Sequence, residues 1–220
     1  MEVIWGKRTY TIDAASLSAR LASYPNVLID IGTGDGRYVQ HIARSRPAWF
    51  AIGIDTCREN LRDASRKAPD NALYVIASAQ ALPRELYGLA ARITINFPWG
   101  SLLTGLLTGD TGLLGGLAAL ARSSATLEIR LNGGALAEAG WTLITGGAQT
   151  RRVLGTNGWL VEACVPMDAR ALRACPTTWA RRLACGRDPR ALYLRARCST
   201  TALPLGKAMT TVSGRMAAAT

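Results

Sequence analysis

A single histidine, His41, serves the whole 220-residue chain. Catalysis built on a Ser-His-Asp triad therefore has almost no material here. The five cysteines, at positions 57, 164, 175, 185 and 198, form no C-x-x-C pair. Ordinary reduced thiols are expected, and no metal site. No apolar run reaches the length of a membrane-spanning helix. The nearest candidate, Ile93 to Gly109, is broken by Asn96, Pro98 and three glycines. The opening MEVIWGKRTY has no apolar signal region, so a cytoplasmic protein with no membrane partner is expected. Acidic residues are also scarce, 15 against 26 Lys plus Arg, for a formal charge of +11. That excess favours a polyanionic partner, and nucleic acid suits it better than an anionic membrane surface.

What is abundant is apolar sequence, 49% of the chain, enough for a sizeable core. VIWGKRTYTID reads as a hairpin, and Asp13 as the cap of a helix from Ala14 to Ser23. Apolar runs then alternate with helical stretches: 27–32, 49–55, 72–79, 91–97, 125–131, 159–165 and 191–198. Continuous apolar strands between helices predict an α/β, Rossmann-like fold. The expected architecture is a seven-stranded, mostly parallel sheet with helices on both faces and an N-terminal hairpin extension. One domain is expected over 1–200, with the extension at 1–25, a basic insertion at 166–190 and a loose tail at 201–220.

The strand VLIDIG runs into DIGTGDG, where Asp30 precedes Gly32, Thr33, Gly34 and Gly36. Glycines at a strand-to-helix turn let backbone approach a ligand closely. A dinucleotide fingerprint needs G-x-G-x-x-G, but Arg37 stands where the third glycine would fall. An acid two residues before the first glycine suits a cation better than a pyrophosphate, and S-adenosylmethionine (AdoMet) brings an ammonium and a sulfonium. Asp55 ends the second strand, where a carboxylate can accept from ribose hydroxyls. Ala79 and Gln80, after the third strand, fall near the adenine. Together these point to an AdoMet-dependent methyltransferase.

The fourth strand ends in NFPWG, at the place where substrate meets cofactor in such a fold. Pro98 leaves neighbouring carbonyls unpaired, so those of Phe97 and Pro98 can accept from a base. Trp99 offers a face on which a base can stack, an effect worth about 1–3 kcal/mol; plain packing of the indole is the competing reading. Trp179, in TTWARRLACGR, sits beside Arg181 and Arg182, with Arg187 and Arg190 close behind. Eight arginines face two aspartates between Val165 and Cys198, a composition suited to a nucleic-acid lid. Core packing is the default for Trp5, Trp49, Trp141 and Trp159. On the helix after the second strand, Arg58, Arg62 and Arg66 recur every fourth residue with Lys67 alongside, and a phosphate-facing ridge is expected. Glu59 and Asp63, one position along, allow a merely solvated face instead.

DIGTGDGR, IGIDTCRENL, FPWGSLL and TTWARRLACGR together resemble the Kam-type aminoglycoside-resistance 16S rRNA methyltransferases, which modify N1 of adenine 1408. The resemblance covers the chain to about Cys198. It implies a monomeric AdoMet enzyme that acts on 16S rRNA in the assembled 30S subunit and confers kanamycin and apramycin resistance. It further implies an adenine flipped between Trp99 and Trp179. Cofactor contacts are implied at Asp30, Gly32, Asp55, Ala79, Gln80 and Ser101, and a polar contact near the base at Thr177. Phosphate contacts are implied at Arg66, Lys67, Arg187 and Arg190; Asn96 has no assigned role. Two alternatives stay open: a tRNA methyltransferase such as one acting on guanine N7, and a non-catalytic ribosome-binding factor with a methyltransferase fold.

Overall fold

The computed structural model describes residues 1–186 and 190–199. The expected tail at 201–220 lies outside the described residues. A hairpin, β1 (Glu2–Trp5) and β2 (Arg8–Thr11), is followed by α1 (Ala14–Leu21), whose cap Asp13 accepts from the Ser16 N–H at 2.7 Å. Alternation then runs through β3 (Asn26–Ile31), α2 (Arg37–Ser45), β4 (Trp49–Asp55), α3 (Arg58–Arg66), β5 (Ala72–Ile76) and β6 (Ala90–Asn96). Two short helices, α4 (Gly100–Thr108) and α5 (Thr111–Leu120), lead into the long β7 (Ala121–Asn132). After α6 (Gly133–Glu138) and α7 (Leu143–Thr156) come β8 (Trp159–Met167), α8 (Ala169–Ala174), α9 (Thr178–Cys185) and β9 (Ala191–Cys198).

The described strands form one nine-stranded sheet in the order β2-β1-β5-β4-β3-β6-β7-β9-β8. This corrects the expected seven: the hairpin is not an appendage but pairs antiparallel to β5 through Val3 and Val75. The sheet is also less parallel than expected. Its centre, β5 to β7, is parallel, while the hairpin and the β7-β9-β8 flank are antiparallel. The insertion between the last two strands is a pair of helices, α8 and α9.

Helices cover both faces, as the apolar strands require. NVLIDI in β3 is buried at five of its six positions. Ile29 and Ile31 face α1, α4, α5 and α7, whereas Leu28 faces α2 and α3 with Tyr74. Among the described residues no single helix is long and apolar enough to cross a membrane; α4 and α5 meet at 89° and bury leucines in the core. Trp159 is buried in that core and Trp141 packs against it partly covered, while Trp49 packs partly covered on the α2 and α3 face. Trp5 departs from expectation. It lies at the end of β1, beside the hairpin turn, and is 58% exposed.

The turn from β3 to α2 depends on glycine most at Gly36. It sits at φ +69°, and a Cβ there would come within 2.6 Å of both Ala64 Cβ and Tyr74 Cε1. The Tyr74 hydroxyl also donates to its carbonyl at 3.0 Å. Gly36→Ala is expected to lower stability by about 1–3 kcal/mol through backbone strain alone, with a further cost from the clash. Urea unfolding of the variant beside the parent checks this.

Candidate active site

The chain order reverses at β3, with β4 and β5 on one side and β6 and β7 on the other. A crevice forms outside the carboxyl ends of strands at such a point. Here it is a cleft of about 490 Å³. The glycine loop forms its floor: Gly32 is at φ +67°, and a Cβ there would lie 2.6 Å from Leu102. Asp55, at the end of β4, ties the loop down. Its two carboxylate oxygens accept from the Gly34 N–H at 2.8 Å and the Cys57 N–H at 2.9 Å, and each retains a lone pair for a ligand hydroxyl. Gln80 is oriented by Ser78, whose hydroxyl donates to its side-chain oxygen at 2.7 Å.

Asp30 is fully buried at the head of the cleft. Thr94 Oγ1 and Asn96 Nδ2 donate to its Oδ1 at 2.6 and 2.8 Å. Burial pushes its carboxyl up to about 6, partly offset by these donors and by the more distant Arg130 charge. Asn96 in turn accepts from Arg130 Nη1 at 2.8 Å, and Arg130 pairs with Glu128 at 3.3 Å. A guanidinium can only donate and an ionised carboxylate only accept, so the Asn96 amide has one workable orientation between them. This gives Asn96 the role that the sequence left open: it holds Asp30 to the buried cation.

The NFPWG turn carries the second half of the cleft. Phe97 adopts φ +54°, a left-handed conformation that is strained for an aromatic residue. Its N–H donates to the Arg130 carbonyl at 2.7 Å, and its buried ring packs with Leu172, Cys175 and Ala180 of the insertion and Ala191 of β9. The Phe97 and Pro98 carbonyls accept no hydrogen bond among the described residues. Trp99 follows at the start of α4. Its ring centroid lies 5.5 Å from that of Trp179, the planes inclined at 32°. The Arg182 guanidinium stands 5.4 Å from the Trp179 ring. Thr177 caps α9 by accepting from the Ala180 N–H at 2.9 Å, and Thr178 donates to Asp35 of the glycine loop at 2.6 Å.

One cleft therefore brings together Asp30, Gly32, Thr33, Gly34, Asp55, Ala79, Gln80, Ser101, Phe97, Pro98, Trp99, Thr177, Trp179 and Arg182. The basic residues divide. Arg58 departs from the expected ridge: it is half-buried and donates to the Lys7 carbonyl at 2.8 Å, bracing the hairpin. Arg62 and Arg66 are exposed but paired with Glu59 at 3.4 Å and Asp63 at 3.2 Å, and Lys67 is exposed beside them. Arg181 lines a different groove, Arg190 lies against Gly133 at the start of α6, and Arg187 falls outside the described residues. The sequence reading missed Asp35, Asn60 and Tyr38, which also line the cleft. Only Asp35 had a signal, its place inside the glycine loop.

A family model described as "NpmA: 16S rRNA (adenine(1408)-N(1))-methyltransferase" matches residues 2–198. The chain belongs to this methyltransferase family. An Escherichia coli relative of the same description is 31% identical over 208 residues, covering 85% of this chain and 94% of its own. Another, from Streptoalloteichus hindustanus, is 30% identical over 206 residues, covering 86% and 94%. Among solved structures, the 16S rRNA methyltransferase KamB superposes with a TM-score of 0.82 at 28% identity, covering 91% of this chain and all of its own. The antibiotic-resistance methyltransferase Kmr gives 0.77 at 33% identity, covering 92% and 100%.

The residues of the cleft fit AdoMet. A cradle that Gly32 keeps open lies beside a buried carboxyl suited to a cation and a strand-end acid suited to a ribose. A cationic ligand binds the ionised form of Asp30, and the free enzyme loses that form as pH falls through about 6. AdoMet affinity measured by calorimetry is thus expected to weaken about tenfold between pH 7 and pH 5. Asp30→Asn should bind poorly at both values. A flat pH profile in the parent enzyme would remove the charge role of Asp30.

Proposed function

We propose that the enzyme transfers the methyl group of AdoMet to N1 of adenine 1408 in 16S rRNA, acting as a monomer on the assembled 30S subunit. Protection against aminoglycosides such as kanamycin and apramycin follows, because the product carries bulk and charge on the edge that the drug reads. The observation that carries this reading is the pair Trp99 and Trp179, facing one another across the mouth of a cleft shaped for AdoMet. Family membership over residues 2–198 supports the target.

Bound AdoMet supplies an electrophilic methyl group on a sulfonium. Adenine N1 is neutral and already has a lone pair, so the chain need supply no general base. Its task is to hold the base in line at about 3–3.5 Å. N1 is inaccessible within a paired helix, and the adenine must be turned out at a cost of a few kcal/mol. Stacking against the Trp99 and Trp179 rings offsets that cost. The two rings now touch each other, whereas a base between them needs about 7–8 Å of separation, so the adenine has to part them. As N1 acquires charge, the free carbonyls of Phe97 and Pro98 accept from the exocyclic amine, and the indole faces favour the cationic ring. Asp30, Asp55, Gln80 and Ser101 hold the cofactor side. Arg66 and Lys67 face the rRNA backbone.

Primer extension on 30S subunits incubated with enzyme and AdoMet is expected to stop at adenine 1408 and nowhere else; a clean 16S template sinks the proposal. Trp99→Ala and Trp179→Ala should each lower methylation about 5- to 150-fold while AdoMet affinity stays within about threefold, as expected for groups worth 1–3 kcal/mol each that act on the base alone. Equal loss of cofactor binding points to packing instead. Arg66→Glu with Lys67→Glu is expected to weaken 30S binding and flatten its salt dependence by roughly one to two units of log–log slope; a titration matching the parent would exclude that contact.

A further inference from the structure

The exposed arginines of α3 each have an acid three residues before them, Glu59 for Arg62 and Asp63 for Arg66. Helix α2 has none. Its sequence, RYVQHIARS, contains no carboxylate, and Arg37, His41 and Arg44 share one exposed face at i, i+4 and i+7. No carboxylate on the helix itself offsets the two guanidiniums. Among the described residues, the acid that pairs with this row is Asp35, 3.4 Å from the Arg37 Nε at its end.

This face forms one wall of a groove of about 510 Å³, lined by Arg37, Gln40, His41, Arg44, Ser45, Pro176 and Arg181. Arg181 enters from α9, the helix that carries Trp179. Successive residues of α9 thus serve two surfaces, with Trp179 and Arg182 lining the cleft and Arg181 the groove. The bond from Thr178 to Asp35 joins the two elements between these surfaces. The row from Arg37 to Arg44 is about 10 Å long at the rise of an α-helix.

We infer that the groove between α2 and α9 is a phosphate-binding site for the RNA strand flanking the target base, with Arg37, Arg44 and Arg181 as its cations. The inference rests on the proposed rRNA activity and extends it to a surface that none of the expected contacts includes apart from Arg181. An anionic backbone is the ligand that this chemistry selects: exposed guanidiniums favour phosphate oxygens, and no lining carboxylate competes with them. A strand held there continues into the cleft beside the two tryptophans.

The test uses the full chain and purified 30S subunits. Arg37→Gln with Arg44→Gln should weaken 30S binding about tenfold or more at moderate salt and reduce the slope of log K against log salt by about 1.4–1.8, the value for two lost phosphate contacts. AdoMet affinity and the melting temperature are measured alongside. Arg37→Lys with Arg44→Lys should recover most of the affinity, because charge is retained. A Gln pair that binds as the parent does, with the same slope, overturns the site. So does a Lys pair as weak as the Gln pair with a melting temperature lowered alike, because the loss is then one of fold rather than charge. A photoreactive residue placed at position 41 should crosslink to 16S rRNA, and crosslinking to ribosomal protein alone overturns RNA as the ligand. A parent enzyme that neither binds nor methylates 30S subunits defeats the proposed function itself, a result distinct from any of these.

Discussion

The Phe97 ring beneath α8 and α9 is the contact on which the substrate half of the molecule depends. β6 delivers Phe97 to the edge of the sheet, and its left-handed backbone turns the ring into a small apolar cluster with Leu172, Cys175, Ala180 and Ala191. That cluster is separate from the main core and includes both insertion helices. Besides it, the Thr178–Asp35 bond and the Trp179–Trp99 ring contact join α9 to the rest of the cleft. With it, Trp179 comes to 5.5 Å from Trp99, although eighty residues separate them in sequence. Strain at a functional turn is tolerated where the surroundings over-determine it, and here the ring, the N–H to Arg130 and the following proline all act on one residue.

The cofactor half is organised around a buried charge. Asp30 is in an environment that disfavours its ionised form, and Thr94, Asn96 and the Arg130 cation partly compensate. Arg130 is itself held by Glu128 and lies against the Tyr38 and Tyr193 rings. Breaking any member of such a network leaves another buried polar group unpaired, which costs more than the bond gained by making it. Asn96 and Phe97 are consecutive. Asn96 therefore links NFPWG to Asp30 and Phe97 links it to the insertion helices, so the two halves of the cleft share a single strand end.

Electrostatics over the surface is set by pairing more than by count. The chain carries a formal +11, but its arginines are not equally available. Arg58 braces a hairpin, Arg62 and Arg66 have acids alongside, and Arg130 is inside the protein. The exposed face of α2 has no acidic residue on its own helix, and Arg181 of α9 joins it across a groove.

Much of the site was legible in sequence because its parts are local. The acid before the glycine loop, Asp55 at the next strand end, and the proline and tryptophan after β6 each carry their chemistry within a few residues, and strand periodicity ordered them along the chain. The hairpin was visible, but its place as two further strands was not, because edge pairing to β5 is a long-range contact. Three matters were decided by the tertiary structure alone: the role of Asn96, the distance and inclination of the Trp99 and Trp179 rings, which the family resemblance had already paired, and which arginines remain open to an anion. The reason is common to all three. Composition and spacing determine what a residue can do, but the partner that engages it is chosen by the packing of elements distant in sequence. For Arg58 that partner was the Lys7 carbonyl in the hairpin turn, and for Asn96 the Arg130 cation on the neighbouring strand β7.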